Sequence, residues 1–187
     1  MTRLEPLRRA ALGFACLALL AGCGGGGGGS KTVAHVGGDA ITQQQLDTLV
    51  DHFRREAQQE GKDFPKEGTS TFVQLRNQLL GLLVYRSELQ QAAGRLGVVV
   101  SSDELSKRLA ANPGGGEEGD TNGDTYARDS AEAELLKEGI AAKVTRGVTG
   151  RTLADRSARR NARLAAFLGH LQRETKVHYE PGYAPGS

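Results

Sequence analysis

The sequence predicts a mainly α fold of five helices, closed by a small two-stranded sheet. Two observations carry this expectation. A run from about Thr71 to Leu96 repeats apolar residues at helical spacing without interruption, and shorter runs of the same kind lie on both sides of it. Two β-rich pieces, Val33–Val36 and residues 175–179, stand near opposite ends of the chain, each too short to be stable alone. Pairing them would close the fold, with Val177 and Tyr179 facing the helices and the last helix packed on the long one.

Taken in order, Val33–Val36 is followed by a Gly37-Gly38-Asp39 turn and by Thr42, which with Gln45 three residues on forms a capping box. The helix that starts there places Leu46, Leu49, Val50, Phe53 and Ala57 on one face, and Gly61 with Pro65 closes it. In the long second helix Phe72, Leu75, Leu79, Leu82, Leu89, Ala93 and Leu96 form the stripe. Leu80, Leu83 and Val84 widen it, which implies burial from more than one side. Gly97 ends the helix, a β-rich Val98-Val99-Val100 follows, and Ser101 with Glu104 caps a third helix whose apolar edge is Leu105 and Leu109. Residues 112–124 read as a surface loop. The fourth helix turns Tyr126, Ala133, Leu136, Ile140 and Val144 inward. The fifth, from about Leu153 to Glu174, does so with Leu164, Phe167, Leu168 and Leu171, before the closing strand and a Pro-Gly turn.

The N-terminal segment has a different character. Arg3, Arg8 and Arg9 precede an apolar run from Ala10 to Gly22, shorter than the roughly 20 residues a spanning helix needs. The run ends in Leu20-Ala21-Gly22-Cys23, which resembles the lipobox of bacterial lipoproteins. The resemblance implies that residues 1–22 are a signal peptide and that Cys23 is lipidated and becomes the first mature residue. Residues 24–30, six glycines and a serine, then read as a flexible tether, so that 23–32 joins the lipid to a domain spanning 33–187. The expected location is extracytoplasmic, lipid-anchored to a bacterial membrane.

Charge and cysteine content narrow the functional classes. Removing residues 1–22 takes Arg3, Arg8, Arg9 and Glu5 from 24 basic and 22 acidic residues and leaves 21 of each. A formally neutral chain lacks the general attraction that nucleic-acid binding uses, so no nucleic-acid partner is expected. Cys16 leaves with the signal and Cys23 carries lipid, so no disulfide can form and the core must supply the stability. The charge is unevenly placed: residues 101–138 hold ten acidic and four basic side chains, residues 143–176 nine basic and two acidic. Arg159, Arg160 and Arg163 read as a solvated helix face, with contact to lipid or an anionic polymer as the alternative.

The residues offer little for catalysis. His35, His52, His170 and His178 lack metal-ligand spacing, and neither a nucleophile elbow nor a phosphate loop occurs. Asp120, Asn122 and Asp124 match the first three positions of an EF-type calcium loop, but Thr125 stands in place of its glycine and Ala131 in place of its bidentate glutamate. A solvated acidic loop is the expected reading, with no metal, cofactor or catalytic residue.

Residues 33 to about 145 resemble, as an ordered set, the N-terminal domain of the SurA/PrsA group of extracytoplasmic chaperones and peptidyl-prolyl isomerases. The features that carry the likeness are the strand, the turn, the Ile41-Thr42 cap, the long helix, the Leu96-Gly97 stop, and Val100-Ser101 with its acidic cap. Residues 164–183 are similar to the closing helix and strand of that group, which return to the N-terminal domain, so residues 153–187 would complete it. Relatives with isomerase activity insert a parvulin domain of on the order of a hundred residues before the last helix, larger than an ordinary loop. Only about a dozen residues stand there in this chain, so the resemblance implies the binding function and not the isomerase site. The expected partners are unfolded or secreted polypeptides, held without nucleotide, with Phe64, Leu83, Val84 and Tyr85 as groove residues. A peptidyl-prolyl isomerase, or a scaffold dedicated to one envelope protein, is the alternative.

Overall fold

The computed structural model describes residues 31–111 and 121–184, with side-chain surroundings from residue 125 onward in the second stretch. Residues 1–30, on which the expected signal peptide, lipidated Cys23 and glycine tether fall, and residues 112–120 of the expected acidic loop lie outside the described residues. Its elements are β1 Thr32–Val36, β2 Asp39–Thr42, α1 Gln43–Gln59, α2 Ser70–Leu96, α3 Ser102–Ala111, α4 Thr121–Val144, α5 Leu153–Glu174 and β3 Val177–Tyr179.

The five helices stand as expected, while the sheet has three antiparallel strands rather than two, in the order β2-β1-β3. β1 pairs with β3 through Ala34–Tyr179, His35–His178 and Val36–Val177, so the two ends of the described chain do meet. The added strand is the four residues between the glycine turn and the α1 cap, with Val36 opposite Asp39 and Ala34 opposite Ile41. Gly37 makes that tight hairpin possible: its φ is 58°, a left-handed conformation that other residues rarely adopt.

Side-chain caps start the helices. Thr42 and Gln45 form the reciprocal box, with the Thr42 N–H donating to Gln45 Oε1 at 2.8 Å and the Gln45 N–H to Thr42 Oγ1 at 3.3 Å. Ser101 and Glu104 repeat the arrangement at α3, at 3.0 and 3.2 Å. Thr69 and Thr152 cap α2 and α5 by accepting from Phe72 N and Asp155 N. Gly97, with φ 62°, ends α2 as read from the sequence. The β-rich Val98–Val100 stretch is irregular chain rather than a strand; Val98 and Val100 pack on the core and Val99 is 85% exposed.

Two hydrophobic cores share α2. The first gathers Val33, Val36 and Ile41 of the sheet, Leu46, Leu49 and Val50 of α1, Leu79, Leu80 and Val84 of α2, and Tyr183 from beyond β3. The second gathers Leu89, Ala92 and Ala93 of α2 with Leu136 and Ile140 of α4 and Leu171 of α5. The width of the α2 stripe reflects this double duty. Leu82, expected on the stripe, is 49% exposed, although helical spacing places it in line with Leu75 and Leu89. Val177 and Tyr179 pack on the first core, as expected of the inward face of β3.

Candidate functional groove

Where α1, α2 and α4 meet, their packing leaves an open groove of about 340 Å³, lined by Gln44, Gln45, Thr48, Leu49, Leu83, Arg86, Thr125, Tyr126 and Asp129. A smaller recess of about 150 Å³ continues it along β2 past Asp39, Ala40 and Ile41 to Ser87 and Gln90, with Gln45, Leu83 and Arg86 common to both. Each helix contributes for a local reason. The Thr42 cap starts α1 here, so its first turns present Gln44, Gln45 and Thr48. On α2, Leu83, Arg86, Ser87 and Gln90 follow one another at intervals of three, one and three, which keeps them on one face. On α4, Tyr126 stacks on His52 at 4.2 Å and meets Phe53 edge-on at 5.5 Å, which fixes one wall.

The groove thus combines an apolar floor with a polar rim. Leu49, Leu83 and Tyr126 offer carbon surface, while an ion pair between Arg86 and Asp129 joins α2 to α4 beside them. At the other end the Asp39 carboxylate accepts from Ser87 Oγ at 3.1 Å and Gln91 Nε2 at 2.7 Å, holding the hairpin against α2. Such a surface can bury apolar side chains of a ligand and still offer its backbone hydrogen-bonding partners.

Of the four residues expected to line a groove, Leu83 lies on this one. Val84 is 7% exposed and belongs to the first core; one helical step of about 100° carries it off the groove face. Tyr85, two steps on, packs against the second core. Phe64 is pinned between the edge of Phe72, 6.4 Å away, and the Arg54 guanidinium, 5.2 Å above its ring. Gln44, Gln45, Thr48, Arg86, Tyr126 and Asp129 were not anticipated, because three elements distant in sequence bring them together and no local motif marks them.

Behind the groove, α2 carries a buried carboxyl. Glu88 is 4% exposed, and burial pushes its proton affinity above that of an ordinary glutamate. Burial raises the Tyr85 and Tyr179 hydroxyls too, and the nearby Glu88 charge adds to both shifts. Of the EF-type positions, Asn122 and Asp124 fall within α4 and Asp120 lies outside the described residues. Among the described residues no group of three or more His, Cys, Asp or Glu side chains is placed to hold a metal ion. No helix among them is long and apolar enough to cross a membrane.

Fold and groove together define the class: a helical module whose first and last described strands join in one sheet and whose first, second and fourth helices frame an open groove. The SurA-like N-terminal domain model matches residues 8–154, and the chain belongs to that family. The match ends just inside α5, so most of that helix and β3 lie beyond it. Over 81 residues the chain is 28% identical to the chaperone SurA of Pseudoalteromonas translucida (strain TAC 125). That alignment covers 43% of this chain and 18% of the relative, so the chain spans less than a fifth of that protein's length.

Proposed function

We propose that this protein is a membrane-anchored, extracytoplasmic chaperone-like factor that holds unfolded or folding envelope polypeptides in the groove between α1, α2 and α4, without nucleotide. The observation that carries the reading is the groove's make-up, an apolar floor of Leu49, Leu83 and Tyr126 under a rim of Gln44, Gln45, Arg86 and Asp129. Apolar side chains gain roughly 25 cal/mol for each Å² removed from water, so a short exposed segment of a client can be held weakly and released without fuel. Family membership supports a chaperone-related role. Lipidation of Cys23 after removal of residues 1–22, with the glycine tether behind it, supplies the anchor in this proposal.

The test is suppression of aggregation of a reduced, denatured substrate by the full chain. Wild type suppresses it at stoichiometric ratios, and Leu83→Asp, which puts a charge on the partly buried floor, loses most of the effect while the domain still melts cooperatively. Equal suppression by the variant would exclude the groove. Catalysed proline isomerisation by the same preparation would favour the isomerase alternative instead.

A further inference from the structure

The two halves of α5 differ sharply in surroundings. From Leu164 onward the helix turns Leu164, Phe167, Leu168 and Leu171 to the second core. Its first half, from Arg156 to Arg163, is exposed at every position, and Leu153 at its start is 80% exposed. At about 100° per residue, Arg156, Arg159, Arg160 and Arg163 fall within a sector of roughly 100°. Three of these charges sit in the first two turns, where the helix dipole is positive and cations are disfavoured.

Internal partners do not account for them. Arg159 pairs with Asp155 at 2.8 Å and Arg160 donates to the Thr145 hydroxyl at 3.2 Å. Arg156 and Arg163 have no side-chain partner among the described residues. Beside the stripe, an open cleft of about 530 Å³ between α4 and α5 is lined by Leu153, Arg156, Arg160 and Leu164, together with Ala141, Ala142 and Glu138, whose carboxylate is held by Arg108. Exposed leucine next to an arginine stripe is the composition of a helix lying in a headgroup layer, apolar edge inward and guanidinium groups on phosphates.

We propose that the first half of α5 is a membrane-contact surface that docks the domain on a bilayer rich in anionic phospholipid. The arginines supply the attraction and Leu153 a shallow apolar contact. The contact goes beyond the client-holding reading and does not require acylation of Cys23. Where that acyl chain is present, the eight residue-to-residue steps from Cys23 to Lys31 span at most about 30 Å, which raises the local concentration of the bilayer at the stripe.

The full chain is reconstituted in vesicles of pure phosphatidylcholine or of phosphatidylcholine with phosphatidylglycerol, and amide hydrogen exchange is followed along α5. One basic side chain near an anionic surface contributes about fivefold to binding, so four predict at least tenfold slower exchange over residues 153–163 on anionic vesicles alone. That slowing disappears in 0.5 M salt or on joint replacement of the four arginines by glutamine, while exchange in α1 is unchanged. Equal exchange on both vesicle types overturns the proposal, as does survival of the slowing in the quadruple variant. The same slowing by soluble polyglutamate without vesicles also overturns it, in favour of an acidic polypeptide partner. Because the readout is confined to α5, it is independent of whether the groove holds clients.

Discussion

The two cores are built on one helix but sealed differently. The first is closed by covalently distant pieces: β3 adds to β1, and beyond it Tyr183, 7% exposed, plugs the sheet side. The Tyr183 hydroxyl donates to Gln43 Oε1 at 3.1 Å, the Arg76 guanidinium lies 4.7 Å over its ring, and Arg76 also donates to the Gly182 carbonyl at 2.7 Å. The second core is closed by the last three turns of α5, from Leu164, with Val98 and Val100 at its edge and Leu171 the one fully buried residue from that helix. One core is therefore locked by β3 and Tyr183, and the other is covered by a helix whose far half is exposed to solvent. The groove lies on the side of the locked core, and the exposed arginines lie on the helix that covers the other.

The largest expected effect breaks the lock. Deleting residues 175–187 removes β3 and Tyr183 together, and loss of a buried aromatic alone typically costs about 3–5 kcal/mol. With the strand pairing added, the melting midpoint of the full chain falls by about 10–20 °C, read by circular dichroism. An unchanged midpoint would reduce the tail to an ornament.

Leu171→Ala tests the lighter seal. It leaves a cavity at the edge of the second core, and because α5 can settle toward α4 the loss sits near the low end of the usual range, about 2–3 kcal/mol in urea unfolding. The groove stays intact, so aggregation suppression per folded molecule is retained. A loss larger than that of the terminal deletion would reverse the ranking of the two cores.

The smallest effect concerns pH. The folded state raises the Glu88 carboxyl, so between its unfolded and folded titration ranges the folded chain binds more protons than the unfolded one, and stability falls as pH rises. Above the folded range the penalty is complete and constant. Glu88→Gln removes this component: the variant is more stable than wild type at pH 7, and the gap narrows toward pH 4. A gap that widened on acidification would mean that Glu88 is held as a paired carboxylate.

Much of the fold was legible in residue spacing, and the groove was not. The Thr42–Gln45 and Ser101–Glu104 boxes, Gly97 and the α2 stripe are local patterns set by backbone geometry, so they survive folding unchanged. β2 was missed because Ile41 is its one buried position in four residues, which leaves no alternation to read. Tyr183 was missed because an isolated aromatic after a turn carries no periodicity. Among the groove residues, Leu83 was found by its apolar character, whereas Arg86 and Asp129 become neighbours only when α2 and α4 pack.

The central claim is that clients occupy the groove, and site-specific photocrosslinking tests it most directly. A photoreactive amino acid placed at Thr48, which lines the groove, is compared with one at Val99, which is 85% exposed and lies outside it, in the presence of one chemically unfolded polypeptide. The account predicts efficient adducts from position 48, competed away by unlabelled unfolded chain, and background from position 99. Equal yields at the two positions, or adducts from position 99 alone, would contradict it.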